Sequence, residues 1–344
     1  MTTESRLTDA QRHKIADLVL DVSGPYPERE YGEEMIETVL RLLRERTGRG
    51  DLKLINSALK EIRFALGVFS KYKKIPKVTA FGSARTKPSA PEYKMAKDFG
   101  QKIVKKGFMV ITGAAGGIMQ ACNEGAGKDK SFGVNIRLPF EQSANAFIDE
   151  DKLINFKYFF TRKLFFVKES DAIALFPGGF GTMDEAFELF TLVQTGKSTP
   201  KPIVLVDVPG GSFWKNWENY VRGNMEEAGL ISPEDLSLFY STHDVDSAVE
   251  EITRFYRVYH SSRYVDKNLV IRLKRPIGDA TLAKINREFK TILAKGDIVR
   301  VDAFEEELQD EDEMALPRLA LSFNRRDYGL LRRLIDRINE DEKN

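Results

Sequence analysis

Cysteine is almost missing from this chain: Cys122 is the single one in 344 residues. No internal disulfide can form, and a reducing compartment suits such a sequence. Histidine is nearly as scarce. His13, His243 and His260 stand alone, with no Cys, Asp or Glu at a metal-ligand spacing, so metal catalysis has little to build on. No window approaches the ~20 continuous apolar residues that a membrane-spanning helix requires. Residues 1–6 are polar and lack the apolar core of a secretory leader, so none is expected. An excess of one charge is missing too: 53 basic against 52 acidic residues leave a net charge of +1. That balance gives no reason to expect nucleic acid or an anionic membrane as partner. A cytoplasmic protein is the expectation. Cys122 falls in a helical pattern with Met119 and, with no histidine nearby in sequence, reads as a packed core thiol.

What is present is concentrated in residues 171–197. The apolar run Ala172-Ile173-Ala174-Leu175-Phe176 is short and sharply bounded, as a buried strand should be. Gly178, Gly179 and Gly181 follow, and glycines let backbone N–H groups converge on a bound group without obstruction by Cβ atoms. Thr182 then reads as an N-cap, opening a periodic helix that ends near Gly196. Strand, glycine turn and helix in that order aim a positive helix end at whatever lies over the turn, and anions bind there. Glu185, three residues after Thr182, has two readings. It completes a capping box with Thr182; or, with Asp184, it places an acid beside a phosphate-sized nest. A phosphate would be repelled by that acid, so the acid would face a neutral, hydroxyl-rich part of the ligand such as a ribose. Spacing does not decide between them.

The flanking sequence supplies the scaffold. Helical patterns are expected over 9–22, from 29 to about 48, and over 51–72, with apolar stripes that would pack on a neighbouring domain or a dimer mate. From Lys77 the period changes. Strands are expected at 78–81, 108–111, 132–136, 153–156, 172–176 and 203–206, the fourth a candidate edge, with helices between them. Strands alternating with helices on short connections imply an α/β fold, a doubly wound parallel sheet covered on both faces. Ligands of such sheets bind at the carboxyl ends of the strands. The turns after Phe81, Ile111 and Phe176 all bear glycine and would meet at that edge. Gly113, Gly116 and Gly117 do not have the G-x-G-x-x-G spacing, so a nicotinamide dinucleotide enzyme is not supported. After His260 a small α+β appendage is expected, in the order strand, helix, strand, strand, helix. The acidic run 305–313 reads there as a solvated loop, and Arg325-Arg326 with Arg332-Arg333 as surface charge balancing it.

These residues also carry a resemblance. Pro177-Gly178-Gly179-Phe180-Gly181-Thr182-Met183-Asp184-Glu185 fits the P-G-G-x-G-T-x-x-E signature of the LOG (LONELY GUY) family, the cytokinin riboside 5′-monophosphate phosphoribohydrolases long labelled lysine decarboxylases. Phe81-Gly82-Ser83-Ala84-Arg85, the run 135–142, Tyr158-Phe159-Phe160-Thr161-Arg162-Lys163 and Gln194-Thr195-Gly196-Lys197 resemble its longer bacterial branch. The similarity covers about 77–249. It implies a Rossmann-like nucleotide-binding catalytic domain at 75–260, with a helical extension at 1–74 and the appendage at 261–344. It implies Glu185 and Arg162 as catalytic residues. Gly178, Gly179, Gly181 and Thr182 would hold the 5′-phosphate. Gly113, Gly116 and Gly117 would line the same pocket, with Gly82, Ser83 and Lys163 beside the nucleotide. The implied reaction is hydrolysis of the N-glycosidic bond of a nucleoside 5′-monophosphate, without metal or organic cofactor, in a homodimer or higher homo-oligomer. The alternative is a module that binds a nucleotide and reports to a partner. Two departures stand out: Ala114-Ala115 where the family carries glycine, and Ala144-Asn145-Ala146 where it carries P-N-P. Phe159-Phe160 replaces the Met-His of short plant-like members.

Overall fold

The computed structural model describes residues 7–136, 144–307 and 313–341. The family-like run 135–142 and the acidic run 305–313 therefore lie partly outside the described residues. The chain divides into two compact units, Met1–Arg63 and Phe64–Asn344.

The first unit holds α1 (Asp9–Ser23), α2 (Arg29–Arg44) and the beginning of α3 (Arg49–Ser70). Thr8 caps α1 through a capping box with Gln11, which satisfies two of the orphan amides of a helix start. Arg12 pairs with Glu37 at 3.5 Å, linking α1 to α2. None of the residues of α2 is buried.

The second unit is built on a parallel sheet. Its elements are β1 (Lys77–Phe81), α4 (Pro91–Lys105), β2 (Met109–Thr112), α5 (Ile118–Ala126), β3 (Ser131–Ile136), β4 (Leu153–Phe156), α6 (Phe159–Lys168), β5 (Ala172–Leu175), α7 (Phe180–Gln194), β6 (Ile203–Val206), α8 (Phe213–Val221), β7 (Tyr240–Thr242) and α9 (Val245–Phe255). The strand order is β4-β3-β2-β1-β5-β6-β7, and every pairing is parallel. The central strands are buried on both faces: β5 and β6 are continuous apolar runs, and Thr79 of β1 and Thr112 of β2 are buried with their apolar neighbours. One face carries Val78, Ala80, Ala174 and Val204 against Phe99 and Ile103 of α4, Ala121 and Cys122 of α5, and Val249 and Ile252 of α9. On the other, Phe69 at the end of α3 stacks on Phe132 and Phe165, and Phe81 meets Phe166 edge-on. The doubly wound, Rossmann-like arrangement is therefore present. Burial pushes the Cys122 thiol far above its ordinary value, as a core position requires.

Helices α4 and α5 cross where each has a glycine. A Cβ on Gly100 would collide with the carbonyl oxygen of Cys122, and one on Gly125 with that of Lys97.

The remaining elements, β8 (Tyr259–Val265), β9 (Asn268–Leu273), α10 (Asp279–Glu288), β10 (Leu293–Val301), β11 (Arg318–Phe323) and α11 (Tyr328–Asn339), form an antiparallel sheet of order β10-β11-β9-β8 with two helices. The sequence places the first strand of this part at Leu269, so β8 is an addition. Glu307 is fully buried between Arg272 and Arg318. Arg332 is buried too, paired with Glu251 and Asp336. The expectation of surface charge at Arg332 is thus corrected: it is an internal ion-pair residue tying α11 to α9.

Candidate active site

Sheet order places the switch in winding direction at β1, with β2 on one side and β5 on the other. The turns leaving these three strands carry Gly82-Ser83, Gly113 and Gly178-Gly179, and all line one cleft of about 990 Å³. This is where a doubly wound sheet places ligands. The turns are pinned to one another. Ser83 N donates to Pro177 O at 3.1 Å, and Ile118 N donates to Ser83 O at 3.0 Å. Gly117 has φ +63°, and a Cβ there would strike Ser83 and Ala84, so the two turns touch through their main chains. Gly116 lies against the Ala84 carbonyl. Neither Gly116 nor Gly117 is among the cleft-lining residues; they seat the turn behind it.

Helix α7 starts two residues before Thr182. Gly179 is its N-cap, extended at φ −88°, and no side chain caps it. Thr182 therefore lies inside the first turn, its hydroxyl packed against Gly178, and the capping box with Glu185 is not formed. A glycine cap leaves the first amides of α7 without a side-chain acceptor, facing the cleft that Gly179, Phe180 and Gly181 line.

Glu185, one turn further on, is only 6% exposed and lines the same cleft. Burial pushes its carboxyl up from 4.5 to about 7, against the opposing pull of Lys163 and Arg162. The Lys163 ammonium stands 3.5 Å from Glu185, 2.9 Å from Asp184, and is also bonded to Glu188. Burial alone would lower the Lys163 pKa; the bonds to Glu188 and Asp184 outweigh it and hold it above the ordinary value. Lys163 is not among the cleft-lining residues and sits behind the acid, fixing it.

Arg162, the preceding residue of α6, faces the cleft. Its Nε donates to Val134 O at 2.9 Å, and its guanidinium lies 4.9 Å from the centre of the Phe166 ring. A Cβ on Gly113 would stand 2.8 Å from Met119 Sδ and closer still to Arg162 Nη2. Glycine at 113 is what allows the guanidinium to pass.

Several residues that shape the site had no such role in the sequence reading. Asn145 Nδ2 reaches Ala114 O and Ala115 O at 3.2 Å and Asn123 Oδ1 at 3.1 Å. It thereby clamps the turn in which Ala114 adopts φ +64°, a left-handed conformation costly for any residue with a Cβ. Phe213, Asn216 and Trp217 of α8 close the far wall. Of the aromatic residues of α6, Phe165 and Phe166 are core, whereas Phe159 and Phe160 are half exposed. Among the described residues, no cluster of His, Cys, Asp and Glu is placed to hold a metal ion. No helix among them is long and apolar enough to cross a membrane.

Fold and site together define a Rossmann-like α/β protein with a helix start free of side-chain caps and a buried acid near an arginine at the carboxyl edge of its sheet. Residues 116–252 match the family described as "Possible lysine decarboxylase", and the chain is similar to two curated proteins. It is 29% identical over 163 residues to a cytokinin riboside 5′-monophosphate phosphoribohydrolase of Mycobacterium tuberculosis, covering 45% of this chain and 82% of that one. An Arabidopsis thaliana protein of the same description is 31% identical over 94 residues, 27% of this chain and 42% of its own length. The chain thus spans less than half of that plant relative. Among solved structures, a molybdenum cofactor binding protein from Rippkaea orientalis aligns with a TM-score of 0.38 at 19% identity, over 52% of this chain and 96% of that one.

Proposed function

We propose that the protein hydrolyses the N-glycosidic bond of a nucleoside 5′-monophosphate, AMP or a cytokinin riboside monophosphate, to the free base and ribose 5-phosphate. The observation that carries the reading is Glu185: a carboxyl buried in the cleft, titrating near neutrality, beside Arg162 and one helical turn from a free helix start. The phosphate is held by the amides of Gly179, Phe180 and Gly181, with Gly178 and Thr182 shaping the turn. Gly82, Ser83 and Gly113 border the ribose.

The bond breaks through an oxocarbenium-like state, which a nearby carboxylate stabilises. Water adds to the anomeric carbon, Glu185 takes its proton, and the glycosidic electron pair leaves with the base, which is protonated in turn. Arg162 steadies the developing negative charge on the base or anchors the phosphate, its planar fork already oriented by Val134. The names of the two relatives support this reaction type. In this reading the catalytic part is 75–260. The half-exposed Phe159 and Phe160 support a homodimer packing beside the cleft, which sedimentation would test.

The assay is chromatographic release of free base from a panel of nucleoside 5′-monophosphates. Glu185→Gln should retain nucleotide binding and lose on the order of a hundredfold or more in turnover. Nucleotide binding without any base release by the parent protein would instead establish a sensing module.

A further inference from the structure

A second cavity, of about 1020 Å³, opens at the other end of the same strands. Its floor includes Pro76, Phe108 and Asp171, the residues immediately before β1, β2 and β5. Those three strands end in the three turns of the cleft. At ~3.3 Å per residue, strands of four or five residues separate the two spaces by about 13–17 Å. The opposite wall comes from the appendage and α9, through His260, Lys274 and Tyr256.

The lining is cationic and its acids are engaged. Asp171 Oδ2 accepts from Lys77 N at 2.8 Å, and Glu313 pairs with Arg272. Lys73, Lys106 and Lys274 have no carboxylate at ion-pair distance among the described residues; Lys274 donates to the carbonyl of Tyr256. Burial, then Lys274 and Arg272, hold the His260 imidazole below its ordinary value. The tyrosine hydroxyl of Tyr256 donates to Asp171 O at 2.6 Å, bracing the end of α9 against the start of β5.

We propose that this cavity binds a small, multiply charged phosphate anion of the diphosphate class, held by Lys73, Lys106 and Lys274. Three lysines lining one cavity, without carboxylate partners among the described residues, match an anion of two or more charges better than a neutral solute. The proposal is independent of the chemistry assigned to the carboxyl-end cleft.

The test is calorimetric titration with inorganic pyrophosphate at a fixed ionic strength near 0.15 M, where weak surface attraction is screened. The parent protein should bind saturably. Lys106→Gln with Lys274→Gln should weaken binding by at least about tenfold, because charge-assisted contacts to the anion are lost. Lys106→Glu, a change at an exposed position, should weaken it as well, and serves should the double variant melt early. Arg162→Ala should leave the affinity unchanged. The proposal is overturned by absence of saturable binding, by unchanged affinity in the lysine variants, or by a loss in Arg162→Ala as large as theirs, which would locate the anion in the cleft.

Discussion

Replacing Glu185 by glutamine should make the protein more stable at alkaline pH and leave its stability unchanged in acid. The sign follows from the direction of the shift. The folded-state carboxyl is raised from 4.5 to about 7 by burial, so the native state holds its proton more tightly than the unfolded chain. That contribution to stability is fully present below about pH 4.5 and is lost as pH rises through 7. Glutamine does not titrate and has no such loss. The difference between variant and parent should therefore start near zero at pH 4.5, grow between pH 4.5 and 7, and level off at about 3 kcal/mol. For a chain of this length that corresponds to about 4–5 °C in Tm. The attractions of Lys163 and Arg162 are already contained in the net shift, so their loss in the variant is not a separate penalty. Thermal unfolding of both proteins from pH 5 to 9 measures the difference, and base release measured alongside should rise with pH in the parent and flatten above about 7. An equal stability difference at pH 5 and pH 8.5 would refute the reasoning, since Glu185 would then not be held in a poorly solvating site.

Four further outcomes are expected. Gly113→Ala, whose new methyl meets the flexible ends of Met119 and Arg162, should displace the guanidinium with little loss of stability and cost at least about tenfold in turnover; an unchanged rate would remove Arg162 from the mechanism. Asn145→Ala takes the side-chain donor from Ala115 O, while Ala114 O keeps the Asn145 amide and Asn123 Oδ1 keeps the Thr112 hydroxyl, and should destabilise by about 1–3 kcal/mol in denaturant titration. Ala114→Gly relieves a left-handed residue at φ +64°, a gain of about 1–2 kcal/mol. It also forfeits a buried methyl worth about 0.8 kcal/mol and adds unfolded-state entropy, so its melting temperature should match the parent's within a degree or two. Lys163→Gln removes the cation nearest Glu185 and should move the rising limb of the pH–rate profile upward; a limb that stays in place would separate Lys163 from the acid's titration.

The strongly apolar parts of this fold were legible from residue patterns. Helix α5 and strand β4 fall at the expected boundaries, and the edge position of β4 is as expected. The three glycine turns meet as expected because a parallel sheet directs every carboxyl end the same way. What escaped was polar or short. Strand β8 reads Tyr-His-Ser-Ser-Arg-Tyr-Val, a half-exposed edge without alternation, and β7 is three residues long and mostly exposed. The start of α7 was misplaced because Thr182 and Glu185 imitate a capping box. An extended glycine can begin a helix equally well, and the real first residue, Phe180, is 97% exposed and gives no periodic signal. Asn145 stood out only as the centre of Ala144-Asn145-Ala146, and its clamp on residues 114, 115 and 123 depends on contacts 22 to 31 residues away in sequence.

The crossing of α4 and α5 has one more consequence. Where Gly100 and Gly125 face carbonyl oxygens of the opposite helix, the spacing is set by main-chain atoms in direct apposition. No rotamer lies between them to soften or readjust the fit. The helix whose first residue follows Gly117 is thus mounted without slack, so thermal loosening of side chains elsewhere in the core should reach the cleft last along this route.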